Sequence, residues 1–250
     1  MSTYIALLKK IDRQQKLIDD ARPFDKSQVL QLKEYYRIGL TYTSTALEGN
    51  TLTLSETKVV LEDGITINGK PLKDHLAVLG HSEAFDYMWN LAGTHRPITE
   101  EIIKTLHAYC MKRERPEIAG IYRDKPIFIS GTDHNDKIPS PADLAKTIDV
   151  KLSSLNNSRP NLHPVEYAAN LHLAIVQLHP FEDGNGRTAR LAMNLALRQD
   201  GYPIVVIPPV VRHEYIQSLE KAWTNPDRFT QFIAERVDEA QRELMRNLHI

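Results

Sequence analysis

The sequence is poor in the groups that most readily betray a function. Cys110 is its only cysteine, which excludes an intramolecular disulfide and a thiolate-rich metal site. Its neighbours Leu106, His107, Ala108 and Tyr109 read as helix, so the thiol is expected to be a small buried hydrophobe. Neither sign of charge is in excess: 31 Lys and Arg stand against 32 Asp and Glu, and no basic field points to nucleic acid. No apolar run approaches a membrane span. The N-terminal apolar stretch is broken by Lys9, Lys10, Asp12 and Arg13, unlike the uninterrupted core of a signal peptide. A cytoplasmic protein without a membrane partner is therefore expected. Repeats, low-complexity linkers, a G-x-x-x-x-G-K-[S/T] loop and an H-E-x-x-H string are all missing. His163, His172 and His179 are spaced too widely to share a helical turn, and His213-Glu214 lacks a second histidine, so no zinc site is expected.

What is present is ordinary globular material: 250 residues, 42% hydrophobic and 25% charged, enough for one substantial core. The patterning is overwhelmingly helical. Helix formers with apolar residues three or four apart fill about 2–20 and 27–48. Thr53 and Glu56 make a T-x-x-E capping box before a short helix that stops at Gly64. Further helices are predicted from Pro71 to about Asn90 and from Thr99 to about Arg113. Ser140-Pro141-Ala142-Asp143 opens another with an N-cap, a first-turn proline and an acid. His163-Pro164 begins a helix with Val165, Ala168, Leu171, Ile175 and Leu178 on one face. The next runs from about Arg187 to a Gly201 cap, and the last two occupy roughly 211–223 and 227–247. One stretch departs from the pattern. Residues 125–130 and 137–139 read as two short extended arms around a polar turn, with Pro126 and Pro139 suited to edge positions. The expectation is an all-α helical bundle carrying one small β-hairpin.

The segment His179-Pro180-Phe181-Glu182-Asp183-Gly184-Asn185-Gly186-Arg187-Thr188-Ala189-Arg190 holds more chemistry than a helix connection needs. Gly184-Asn185-Gly186 lets the backbone turn sharply and present successive N–H groups as an anion nest. The following helix points its positive end into that nest. Arg187 and Arg190, three apart, oppose the dipole unless a polyanion lies between them. Asp183 could hold a magnesium ion against phosphate oxygens, and His179 could take a proton from an incoming hydroxyl. A base role requires a near-neutral pKa, whereas a helix C-terminus favours the protonated imidazole. A bare G-N-G-R string also fits a plain glycine turn with solvated arginines.

The complete string resembles the motif of the Fic family, H-x-F-x-[D/E]-G-N-G-R-x-x-R, at every defined position from His179 to Arg190. The resemblance implies the Fic fold and transfer of AMP from ATP, with Mg2+, to a Ser, Thr or Tyr hydroxyl of a target protein or of the chain itself. In that reading His179 is the base, Phe181 a core anchor and Asp183 the metal ligand. Gly184, Asn185 and Gly186 hold the α-phosphate region, while Arg187 and Arg190 meet the β- and γ-phosphates. Tyr215 resembles a residue that lines the adenine pocket. Residues at about 125–139 would form the flap that aligns a target strand, with Ile138 as a clamp.

Ser44-Thr45-Ala46-Leu47-Glu48-Gly49 is similar to the family's inhibitory signature [S/T]-x-x-x-E-[G/N], in the subgroup whose inhibitory helix lies on the N-terminal side. The resemblance pairs Glu48 with Arg190 at the γ-phosphate position. It separates a helical region at 1–95 from a catalytic core at 96–250 within one compact unit. Removal of AMP from a modified protein, transfer of another nucleotide or phosphate group, and an ATP-sensing module with little catalysis remain open alternatives. A homodimer is compatible with the sequence, though no feature sets an interface.

Overall fold

The computed structural model describes residues 2–250, and among them ten α-helices and no strand. The helices are α1 (Ser2–Asp20), α2 (Lys26–Ala46), α3 (Leu54–Glu62), α4 (Leu72–Ala92), α5 (Glu100–Met111), α6 (Pro141–Ser158), α7 (Pro164–Leu178), α8 (Asn185–Gln199), α9 (Arg212–Lys221) and α10 (Asp227–Leu248). Their starts follow the capping chemistry. Thr53 and Glu56 exchange both bonds of a capping box ahead of α3, and Ser140 caps α6 through the Asp143 amide. His163 caps α7 with its own ring, accepting from the Val165 N–H, while Glu166 returns a bond to the His163 amide.

The pair α7–α8 forms the centre of the bundle, with α4, α5, α6 and α10 packed around it. Helix α8 is buried on nearly every side, including Arg187, Arg190, Asn194 and Gln199. A buried polar helix needs partners for those groups. Asn194 finds them in the backbone, bonding the Arg190 carbonyl and both backbone groups of Val205. One continuous apolar core runs from Ile11 to Ala240, and a small satellite of Leu52, Val60 and Val78 supports α3. Cys110 lies fully within the main core, and burial pushes its thiol up to about 12. Among the described residues no helix is long and apolar enough to cross a membrane.

Three expectations are corrected. The segment 125–139 is not a β-hairpin: neither arm forms a strand, the turn holds a 3-10 helix, Asn135–Lys137, and no cross-strand ladder forms. Asn135 supplies the reason. Its amide accepts from the Ile129 N–H at 2.7 Å and donates to the Ile129 carbonyl at 3.2 Å. A side chain thus satisfies the backbone groups that a partner strand would have met. Pro126 and Pro139 remove two further donors.

The second correction concerns α8, which begins at Asn185 rather than at Arg187, so Gly186 lies inside its first turn. The third concerns α2, which ends at Ala46, leaving Glu48 in the turn beyond it. That turn is a Schellman closure: Asn50 N–H bonds the Thr45 carbonyl, Gly49 N–H bonds the Ala46 carbonyl, and Gly49 has a φ of 93°.

Candidate functional site

The loop between α7 and α8 is held open from beneath. His179 ends α7 in the left-handed conformation, with a φ of 46°, which turns the chain away from the helix axis. Phe181 drops into the core and stacks flat on His107, with ring centroids 3.6 Å apart and planes 3° from parallel. The Asn185 side chain brackets Phe181, accepting from its N–H at 3.0 Å and donating to its carbonyl at 2.8 Å. The His107 ring bridges two backbone segments. Its Nδ1 accepts from Gly120 N–H, so Nε2 carries the proton and donates to the Asp183 carbonyl, both at 2.9 Å. Burial lowers the pKa of this imidazole to about 4, which keeps it in the neutral form those bonds require. Gly184 turns the loop into α8 at a φ of 74°, and a Cβ there would lie 2.7 Å from Met111 Sδ.

Ahead of the first intrahelical bond, Thr188 N–H to the Gly184 carbonyl, the Asn185, Gly186 and Arg187 amides open α8 with no intrahelical acceptor. The two arginines that follow do not converge on one point. Arg187 Nη1 meets Glu114 at 2.8 Å and its Nη2 lies 3.5 Å from Asp183. Arg190 donates through Nε to Ser44 Oγ at 2.9 Å and through Nη2 to the Ser44 carbonyl at 2.8 Å and to Glu48 Oε1 at 2.7 Å. Its Nη1 reaches the Tyr215 hydroxyl at 3.3 Å. Tyr215 OH pairs with His172 Nε2 at 3.0 Å, and burial with the Arg190 charge holds that histidine well below its ordinary pKa. Each guanidinium thus carries one carboxylate from outside the motif, which offsets the dipole conflict anticipated for α8.

Two cavities of about 210 Å³ adjoin this arrangement. The first is largely apolar, lined by Leu173, Val176, Tyr215, Ile216, Leu219 and Trp223, with His179, Gly186 and Arg190 also in its wall. The second is polar and contains Asp183, Arg187, Glu114 and Lys73. Glu48 borders both, a wall between an apolar chamber and a charged one. Gly186 makes room for that wall, because a Cβ on it would collide with the Glu48 carboxylate.

His179 lines the apolar chamber, and its Nδ1 donates to the Val176 carbonyl at 3.3 Å. The carbonyl can only accept, so the proton resides on Nδ1, and among the described residues Nε2 has no protein partner. Burial is the largest influence and lowers the ring's pKa; Arg123 lowers it further, while the Val176 carbonyl, Glu48 and Asp183 raise it. Burial therefore outweighs the helix C-terminus, and a neutral imidazole faces the chamber at pH 7.

Of the residues singled out in the sequence, the structure gathers His179, Asp183, Gly186, Arg187, Arg190, Tyr215, Ser44 and Glu48 around these cavities. Asn185 stands apart, since its side chain is fully engaged with Phe181 and only its backbone N–H faces the loop. Ile138 does not line either cavity; the opposite arm does, through Ile129, Ser130, Gly131 and Thr132. Sequence reasoning missed Glu114 and His107, and gave Arg123 no role beyond closing the string Gly120-Ile121-Tyr122-Arg123 at the entry to the expected hairpin. No local spacing marks their contacts with the motif: Arg123 reaches His179 across 56 residues, Glu114 reaches Arg187 across 73 and His107 reaches Asp183 across 76. For a magnesium ion, Asp183 fits as a single half-exposed carboxylate on the polar cavity, and no cluster of three metal-ligating side chains exists among the described residues.

This geometry defines a protein that is helical among its described residues, with free amides opening one of two central helices and a buried imidazole beside them. Residues 97–197 match the Fic/DOC family. A protein adenylyltransferase Fic from Nematostella vectensis is 40% identical over 196 residues, covering 77% of this chain and 45% of that protein. Fic-1 from C. elegans superposes with a TM-score of 0.89 at 26% identity, over 99% of this chain and 73% of that one. A Fic domain containing signaling protein from Bacteroides thetaiotaomicron gives a TM-score of 0.81 at 25% identity, over 94% and 95% of the two chains. The chain belongs to the Fic/DOC family. It spans less than half the length of curated relatives such as the Nematostella protein, at 45%.

Proposed function

We propose that the protein transfers AMP from ATP to a hydroxyl of a target protein, or of itself, and that Glu48 holds this activity down. The observation that carries the reading is the presence of a neutral, one-sided imidazole in the wall of an apolar chamber that also includes Gly186 in the opening turn of α8. An adenine ring suits the apolar chamber, with Tyr215 in its wall, and the phosphates would extend past Gly186 toward Arg190 and Arg187. His179 Nε2 takes the proton of the attacking hydroxyl as its oxygen bonds to the α-phosphorus. The bond from that phosphorus to pyrophosphate breaks, and pyrophosphate leaves with the electron pair. The Gly186 and Arg187 amides face the charge that grows on the α-phosphoryl oxygens. Magnesium, held by Asp183, would supply charge neutralisation for the triphosphate. Asn185 acts through the loop it braces, and its backbone N–H belongs to the nest.

Glu48 occupies the position a terminal phosphate needs on Arg190, the arrangement expected of the subgroup with an N-terminal inhibitory helix. In this reading residues 1–95 regulate and 96–250 catalyse. The names of the adenylyltransferase relatives support the same activity. The test is mass spectrometry of the Glu48→Gly protein after incubation with ATP and magnesium. A mass gain of one AMP on a hydroxyl side chain supports the reading, and a gain of phosphate alone, or none, contradicts it.

A further inference from the structure

Arg123 is buried to 6% exposure, yet among the described residues no carboxylate lies within ion-pair distance of it. Buried arginines ordinarily have such a partner, and Arg187 and Arg190 each have one. Arg123 is solvated by backbone carbonyls instead. Its Nη2 donates to Pro139 at 2.7 Å, its Nη1 to Lys125 at 3.1 Å and its Nε to His179 at 2.9 Å. Its own N–H bonds the Pro180 carbonyl at 3.0 Å.

Those acceptors are not a random set. Lys125 begins one arm of the flap and Pro139 ends the other, so one guanidinium spans the flap's root where a strand ladder is missing. Asn135 closes the tip in the same manner. The remaining bonds go to His179 and Pro180, where the chain takes the left-handed turn that aims the imidazole. A non-glycine residue stays in that region only when its surroundings hold it there.

We propose that Arg123 is a positioning residue that locks the flap and His179 into one register, so that a target hydroxyl presented by the flap arrives at Nε2. The inference rests on the transfer reading above for its catalytic consequence, but its structural core does not. A planar five-donor fork meets three carbonyls at once, which neither lysine nor glutamine can reproduce. The charge matters as well, since Arg123 is one of the groups that lower the His179 pKa, against Glu48 and Asp183, which raise it.

The test compares Arg123→Gln and Arg123→Lys with the parent chain, all carrying Glu48→Gly. Hydrogen exchange reads the lock directly: amides of residues 125–138 should exchange at least fivefold faster in both variants, while α7 and α8 keep parental rates. Self-labelling with radiolabelled ATP should fall tenfold or more in both, with ATP affinity by calorimetry unchanged within twofold. Titration of the His179 ring by NMR should show a higher pKa in Arg123→Gln than in Arg123→Lys. Unchanged flap exchange, or an ATP affinity lost in step with labelling, would overturn the positioning role. If the Glu48→Gly parent itself does not label, the transfer reading fails, and the exchange and titration results still decide the inference.

Discussion

Arg190 Nη2 sits 2.7 Å from Glu48 Oε1, joining a guanidinium that is 2% exposed to a carboxylate that is 44% exposed. The two partners are unequal in what else holds them. Arg190 keeps Ser44 and Tyr215 if the carboxylate leaves, whereas the Glu48 carboxylate has only this guanidinium among the described residues. The pair is built to open from the glutamate side. Glu48→Gly should accordingly cost little stability, about 1 kcal/mol or less, while nucleotide affinity rises several-fold. Calorimetric ATP binding and urea denaturation measure the two effects. A large stability loss without a gain in affinity would mean that Glu48 braces the fold rather than blocking the site.

Asn185→Ala should act on stability before it acts on phosphate. Both backbone groups of the fully buried Phe181 lose their partner, at a cost of about 2 kcal/mol or more. Denaturant midpoints decide the matter. An unchanged midpoint with lost ATP binding would return the side chain to the phosphate role first inferred for it.

Tyr215→Phe removes one hydroxyl from between Arg190 and His172. Two buried groups are left short of a partner, and the expected loss is about 1–3 kcal/mol. The apolar chamber keeps its ring, so nucleotide binding should weaken only modestly. Loss of binding without loss of stability would contradict this division of roles.

The buried histidines make stability depend on pH. Burial holds His81 at about 3, His107 at about 4 and His172 well below its ordinary value. The folded rings stay neutral while the unfolded chain protonates near pH 6.5, so the unfolded state binds more protons below that value. Their contribution is fully present above pH 6.5. It declines as pH falls toward the folded values, by about 1.4 kcal/mol per pH unit for each ring. His81→Leu should shallow the slope of unfolding free energy between pH 6.5 and 5, and an unaltered slope would exclude that ring as a contributor.

The helices were legible because their signals are local. Capping residues such as Thr53 and Ser140 act within three positions, and the apolar face of α7 repeats every turn. The motif was legible for the same reason, since its nest and its arginines are contiguous. The β-hairpin was misread because two short arms around a polar turn do not say what satisfies their backbone, and here Asn135 and Arg123 do. Asn185 was legible only in part: its polarity was visible, the engagement of its side chain with Phe181 was not. Glu114, His107 and the contacts of Arg123 became visible only once the fold brought distant backbone and side chains together.

A buried neutral His179 should perform the transfer in a site that Glu48 keeps closed. Incorporation of label from α-phosphate-labelled ATP tests it across the parent chain, Glu48→Gly, and Glu48→Gly with His179→Ala. The parent should label weakly, Glu48→Gly at least tenfold more, and removing the imidazole should lower labelling by about 100-fold or more. Equal labelling of the parent and Glu48→Gly, or full labelling without His179, would contradict it.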